Sequence, residues 1–250
     1  MTEEPREPRQ GALTREIGVA GAVLLGLGSM VGTGVFVSVG IAAGVAGPAV
    51  IAATAVAGLL AAANGLSSAQ LAAAHPVSGG TYEYGHIWLN PTLGFSAGWM
   101  FMLAKSASAA TAALGLAGYL LDMLGVDSPL ARTGVAVAAA LAVTAFVAGG
   151  IRRSNRGNAI VVGVALLGLT LLMAAALPVA LSPEGQARFV PLLPSADGGG
   201  IAALLHGSAL MFVAFTGYGR VATLGEEVRE PARVIPRAVI ATVTVVTLLY

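Results

Sequence analysis

Four glycines, Gly26, Gly28, Gly32 and Gly34, fall within nine residues of the segment Gly26-Leu-Gly-Ser-Met-Val-Gly-Thr-Gly-Val-Phe36. Each weakens a helix by roughly 1 kcal/mol relative to alanine, so a helix through this stretch is expected to break. In apolar surroundings, unpaired backbone is tolerated only where it is buried in protein or lines a cavity. A break therefore implies a site, with N–H groups at the start of the second half-helix available to an anion such as a carboxylate. The other reading is an intact helix with a glycine-rich packing face. A similar pattern recurs in Phe212-Val-Ala-Phe-Thr-Gly-Tyr-Gly-Arg220, where Gly217 and Gly219 follow the Phe215-Thr216 pair, and a second break is expected near 215–219.

Other chemistries find little support. The chain has no cysteine, which excludes disulfides, thiol redox chemistry and thiolate metal sites. His75, His86 and His206 are scattered and have no zinc-binding spacing. The glycines around Gly26 have the wrong spacing for a dinucleotide fingerprint, and no nucleophile-base pair or phosphate-binding loop is present. No enzyme, metal or cofactor is expected. A net charge of +1 offers no basic surface for nucleic acid.

The elements that must carry these segments follow from composition. Of 250 residues, 56% are hydrophobic and 10% charged, and mean hydropathy is +0.84. Soluble domains are nearer ~25% charged. Between Glu16 and Glu83 lie 66 residues without one Asp, Glu, Lys or Arg. Further charge-free runs cover 84–104, 106–121, 133–151, 157–183, 198–219 and 238–250. A bilayer-crossing helix takes about 20 mainly apolar residues. The chain is therefore expected to be an all-α integral membrane protein, with the first span retained rather than cleaved as a signal.

The reading places a polar tail at 1–16, span one at 17–43, a Gly47-Pro48 break and span two at 49–71. Spans three to six follow at 93–121, 132–149, 158–181 and 201–224, with an outer loop at 183–200 and an inner loop at 225–236. A seventh span starts near Pro236 and is too short to cross. Arg6, Arg9, Arg15, Arg152, Arg153, Arg156, Arg220, Arg229, Arg233 and Arg237 then lie on one side. Only Arg132 and Arg188 lie on the other, so the N-terminus is expected in the cytoplasm. Gly28xxxGly32, Gly40xxxGly44 and Gly94xxxGly98 have the spacing of close helix contacts, a spacing that chance also produces among 34 glycines.

Three segments in order resemble the amino acid-polyamine-organocation permeases: Gly28-Ser-Met-Val-Gly-Thr-Gly-Val-Phe36, Pro76-Val-Ser-Gly-Gly-Thr-Tyr-Glu-Tyr84 with Gly98-Trp99, and Gly225-Glu-Glu-Val-Arg-Glu-Pro-Ala-Arg-Val-Ile-Pro-Arg-Ala238. The resemblance runs from about Leu13 to Tyr250. It implies a LeuT-type fold of five-plus-five inverted repeats, of which this chain holds the first repeat (17–182), the sixth span and the start of the seventh. It also implies secondary transport of an amino acid or amine across the cytoplasmic membrane by alternating access, with a proton as the expected coupling ion. The alternative is a truncated or partner-dependent membrane module of the same fold without transport of its own.

By the same resemblance, the substrate site comprises Met30, Val31, Gly32, Thr33 and Gly34 from span one and Val213, Phe215, Thr216 and Gly217 from span six. The carboxylate would sit near the Thr33 hydroxyl and the N–H groups of Thr33 and Gly34. The ammonium would meet carbonyls at Met30 and near Val213 and Thr216. Phe212 or Phe215 would be an aromatic lid, and Tyr82 to Tyr84 would help close the inner gate. Many relatives carry an acid where this chain has Gly219, and some carry a span-five lysine absent here. Neutral side chains around the site favour a small or apolar neutral amino acid over a dication.

Lys105 lies instead near the middle of span three. A charge there costs about 2.5 to 3.5 kcal/mol on insertion scales and usually faces a cavity or a partner. Three roles are open: a titrating group coupled to proton movement, a fixed cation standing in for an ion or pairing a substrate carboxylate, and a structural lysine bonded to helix carbonyls. His206 could titrate near neutral pH, although a lone histidine is more often packing. Glu226, Glu227 and Glu230 beside Arg229, Arg233 and Arg237 read as a solvated, ion-paired inner loop.

Overall fold

The computed structural model describes residues 15–32, 34–77, 79–148, 151–188 and 200–250, with the side chains of 151–156 outside that description. The first apolar run forms α1, Val19–Met30. It stops inside the glycine segment: Val31 turns extended, with φ −74° and ψ 95°, while its N–H still donates to the Leu27 carbonyl at 2.7 Å. Helix resumes as a π-turn over Gly34–Ser38 and passes into α2, Val39–Ala46. The interruption that the glycines imply is present, and an intact helix is excluded.

Gly47, at φ 55°, opens a short 3-10 turn over Gly47–Ala49, and α3 follows at Val50–Ala74. Small residues recur at helical spacing along α3, with Ala53, Ala57, Ala61, Gly65 and Ala69 all buried. This stripe lets α9, Gly200–Phe215, and α11, Pro231–Leu249, pack closely on it. Gly58 faces Thr247 and Gly65 faces Val239, both from α11. Thr54 and Thr242 are buried polar residues whose hydroxyls bond back to the Val50 and Ala238 carbonyls four residues earlier.

The polar connection after α3 is not only turns. It contains α4, Gly80–Trp88, which packs against α5, Pro91–Met123. Pro91 starts α5 where no N–H is needed, and the Asn90 side chain caps it by accepting from the Leu93 N–H at 2.8 Å. Next come α6, Pro129–Ala148, α7, Ile151–Leu181, and the short α8, Pro183–Ala187. The fifth helix thus begins seven residues before the expected span, because Arg152, Arg153 and Arg156 extend it instead of ending it.

The sixth span does not unwind as the first does. After α9 it tightens into a 3-10 turn over Thr216–Tyr218 and continues as α10, Gly219–Ala222. Phe215, Tyr218 and Gly219 keep right-handed helical dihedrals. Gly217 therefore serves a close approach here, whereas an added carbon at Gly219 would meet only the Phe101 ring at 3.9 Å, and the helix is tightened by the turn rather than unwound.

The expected short seventh span also needs correction. α11 starts at Pro231, not near Pro236, and its 19 residues are long and apolar enough to cross a membrane. Pro231 occupies the first helical position, where a missing N–H costs nothing, and Pro236 removes one later hydrogen bond without stopping the helix. The inner loop shortens accordingly. Among the described residues, six helical stretches have membrane-crossing length and apolarity: Val19–Ala74, which turns at Gly47, then Pro91–Met123, Pro129–Ala148, Gly157–Leu181, Gly200–Ala222 and Pro231–Leu249.

α1, α3, α9, α10 and α11 bury one another, whereas α5, α6 and α7 keep large apolar side chains such as Leu103, Leu141 and Leu172 outward. Below α1 the chain is tied to the loop after α10. The N–H groups of Glu16 and Ile17 donate to the Glu227 carbonyl at 3.1 Å, and the Arg229 N–H donates to Ile17 at 2.9 Å. In that loop Arg233 pairs with Glu230 at 3.3 Å, and the Arg229 side chain bonds the Arg15 carbonyl.

Candidate functional site at the helix interruption

The interruption in span one lies directly against the 3-10 turn of span six. A β-carbon on Gly217 would fall 2.5 Å from the Ser29 carbonyl oxygen and 2.6 Å from the Met30 side chain. Only glycine permits that approach. Gly26 likewise admits Val221 of α10 and Thr242 of α11, and Gly28 admits the Asn158 amide of α7. The segment that sequence marks as weak helix is thus where several helices converge.

Ending α1 at Met30 leaves carbonyls without intrahelical partners. One is taken by Tyr250, beyond the end of α11, whose hydroxyl donates to the Met30 carbonyl at 2.6 Å. The Tyr250 ring packs on Phe215 with centroids 5.3 Å apart and covers Gly34, so closely that a β-carbon there would overlap the phenol oxygen. Met30, Val31, Gly34, Phe215 and Gly217 are all buried and brought together. Thr33 lies outside the described residues.

The remaining expected residues are placed differently. Gly32 is half-buried and lines a separate cavity of about 290 Å³ with Phe36, Val37, Ala112, Gly115, Leu116 and Tyr119. Tyr119 donates to the Phe36 carbonyl across that cavity. The Val213 side chain points outward, 62% exposed, and its carbonyl accepts from the Thr216 hydroxyl at 2.8 Å. Phe215, fully buried, touches Tyr250, whereas Phe212 is half-buried at the edge of the core.

Thr216 opens instead onto a cavity of about 230 Å³, mostly apolar in surface, whose wall includes the polar side chains of Asn64, Ser68, Thr81, Tyr84, Tyr218 and Thr223. Tyr84 of α4 is buried, stacks on Trp88 at 5.5 Å, and has a hydroxyl without a hydrogen-bond partner among the described residues. Burial pushes this phenol above its ordinary range. Tyr82, on the same helix, is exposed and stacks on His86 at 6.0 Å.

Lys105 lies beside the interruption. It lines a cavity of about 410 Å³ with Ser29, Phe101, Arg220 and Thr223, and its ammonium sits 5.4 Å from the centre of the Phe101 ring. His206 is exposed on α9, away from these cavities. Sequence reasoning missed Tyr250 and Arg220. Tyr250 carries no local motif, while Arg220 had a signal, a charge directly after the span-six glycines.

Comparison with known proteins agrees with this architecture. The family model described as amino acid permease matches residues 21–250. A protein of Mycobacterium tuberculosis named only as an uncharacterized transporter is 38% identical over 94% of this chain and 51% of its own length. The branched-chain amino acid permease of Bacillus subtilis is 31% identical over 96% of this chain and 53% of its own. A low-affinity putrescine importer of Escherichia coli is 25% identical over 71% and 39% respectively. The chain spans about half the length of the first two of these relatives.

Proposed function

Because the chain belongs to the amino acid permease family, within the amino acid-polyamine-organocation superfamily, we propose that it serves a secondary active transporter that moves amino acids or related amines by alternating access. It is a multi-pass membrane protein. The membrane is proposed to be the cytoplasmic one, with the N-terminus inside and the spans arranged in a LeuT-type inverted repeat. The observation that carries the reading is the contact of Gly217 with Ser29 and Met30, which sets the interruption of span one against the turn of span six. The substrate would lie between Met30, Val31, Gly32, Thr33 and Gly34 on one side and Phe215, Thr216 and Gly217 on the other, with Val213 contributing backbone.

A neutral amino acid is the favoured substrate. Met30, Val31 and Phe215 are apolar, and a carboxylate is missing at Gly219. Driving force is assigned to protons, with Lys105 as the coupling candidate. Proteoliposomes containing the purified protein should accumulate labelled neutral amino acids when the outside is acidified, and a protonophore should abolish that accumulation. Absence of both uptake and exchange for every amino acid and amine tried would overturn the transport reading. Uptake insensitive to a proton gradient would remove the coupling assignment alone.

A further inference from the structure

A corner between two membrane helices is expected to be polar, because it meets water, yet the corner between α4 and α5 is not. No Asp, Glu, Lys or Arg occurs from Tyr84 to Ala104, and this run begins inside α4, ahead of the Asn90-Pro91 turn. Immediately before that turn Ile87, Trp88 and Leu89 stand in a row with 46%, 46% and 70% of their surface exposed. Turns in water are built from glycine, proline and short polar residues, and an exposed apolar cluster marks a contact surface. Apolar exposure continues along the α5 arm, where Phe95 and Trp99 are both outward and their rings stack at 6.4 Å. The two arms run antiparallel in close contact, Gly94 on the His86 backbone and Gly98 on the Tyr82 ring.

This hairpin lies at one edge of the bilayer. Val19–Ala74 turns at Gly47 and returns, which brings α4 back to the side of the N-terminus. The loop after α10 confirms the side: an added carbon at Gly225 would fall 2.7 Å from the Pro76 backbone, and Val228 of the same loop bridges Ile17. With 33 residues α5 is about 50 Å long, against a hydrocarbon core of about 30 Å. The exposed Asp122–Arg132 pair marks its far end in water, so its first turns and α4 fall at the near boundary. Tryptophan is favoured at that boundary, where an apolar ring with a polar N–H meets both phases.

We propose that Ile87, Trp88 and Leu89, with Phe95 and Trp99 beside them, seat the α4–α5 corner in the phospholipid boundary between headgroups and acyl chains, in the leaflet on the N-terminal side. The partner is the lipid surface itself, and with no basic residue in the patch the contact is apolar and aromatic instead of an attraction to anionic headgroups. It requires only that the chain spans the membrane and is independent of transport. The Trp88 ring also stacks on Tyr84 at 5.5 Å, and Tyr84 with Thr81 walls the cavity onto which Thr216 opens. Lipid thereby holds one wall of that cavity at a fixed depth.

The chain's two tryptophans both lie in this patch and serve as reporters. Trp99→Phe leaves Trp88 alone, and Trp88→Phe leaves Trp99. In full-length protein reconstituted in phosphatidylcholine vesicles, Trp88 should lose most fluorescence to lipid brominated near the carboxyl end of the acyl chain. Lipid brominated near the methyl end should quench it less, and aqueous iodide least. Adding Ile87→Ser and Leu89→Ser to Trp99→Phe should reverse the order, with iodide becoming the strongest quencher of Trp88. The same two serines with Trp88→Phe should leave Trp99 quenched by lipid, which reports that α5 still spans. With the corner unaltered, quenching of Trp88 by iodide alone places it in water, quenching by neither probe places it under protein, and strongest quenching by methyl-end bromine places it in the hydrocarbon. Each of these overturns the proposal, as does lipid quenching of Trp88 that the two serines leave unchanged.

Discussion

The Tyr250 hydroxyl donates to the Met30 carbonyl at 2.6 Å, joining the end of α11 to the last helical residue before the interruption of span one. The ring of Tyr250 lies on Phe215 and over Gly34 at the same time. One side chain thus occupies the acceptor expected to receive a substrate ammonium and shields the backbone expected to meet a carboxylate. A substrate using the Met30 carbonyl must compete with this hydroxyl for the same oxygen.

Tyr250→Phe separates stability from binding. Losing the bond leaves a buried carbonyl unpaired, which costs about 1 to 3 kcal/mol, so the melting temperature in detergent should fall. Freed of its competitor, the Met30 carbonyl should bind substrate more tightly, lowering the half-saturating concentration several-fold in a binding assay. A stability loss with unchanged affinity would show that Met30 does not hold the ammonium.

Glycines predict a graded series. At Gly217 an added β-carbon meets the Ser29 backbone at 2.5 Å, and backbone cannot move aside as a side-chain tip can. Gly217→Ala should destabilise by about 1 to 3 kcal/mol, the range for forcing extra volume into a packed interior, and should abolish uptake. Gly40 is exposed on α2 with nothing within 4 Å of its added carbon. Gly40→Ala should be neutral or gain up to about 1 kcal/mol from helix propensity. Thermal unfolding of the two variants checks the order, and equal effects would contradict the packing.

What was legible in the sequence was what depends on local chemistry. Long uncharged runs marked the spans because charge is excluded from hydrocarbon, and the glycines from Gly26 to Gly34 marked the interruption because they weaken helix wherever they stand. The span-six glycines misled in form: Gly217 and Gly219 read as a second break like that of span one, and only the neighbouring Ser29 shows that Gly217 serves a close contact instead. Likewise Pro236 reads as a helix start until Pro231 is seen to occupy that role. Tyr250 was illegible because its role comes from a residue 220 positions away.

The small-xxx-small pairs show the same dependence on partners, and Gly94 supplies a prediction. Gly40 and Gly44 face nothing within 4 Å, whereas Gly94 lies against the His86 backbone and Gly98 against the Tyr82 ring. Gly94→Ala places a carbon 2.6 Å from the His86 nitrogen and should push α4 off α5. Because α4 is short and packs mainly on α5, the expected effect is local: faster proteolytic cleavage between residues 75 and 90, with little change in global melting. Unchanged cleavage would mean that α4 is held from elsewhere.

Tyr84 carries the last prediction. Its buried hydroxyl has no partner among the described residues, and burial holds the phenol above the ordinary value of 10.0. Below pH 10 the phenol is neutral folded or unfolded, so it adds no pH dependence. Above pH 10 the unfolded chain loses the proton while the folded protein keeps it, so stability falls as pH rises towards the folded value. Tyr84→Phe removes both the unpaired hydroxyl and this slope. The variant should be more stable by about 1 kcal/mol at neutral pH, the cost of leaving such a group unsatisfied, and the gap should widen in denaturation measured from pH 9 to 11. A variant less stable than the parent at neutral pH would reveal a bond to this hydroxyl, and a function for it in closing the cavity it shares with Asn64, Ser68 and Thr223.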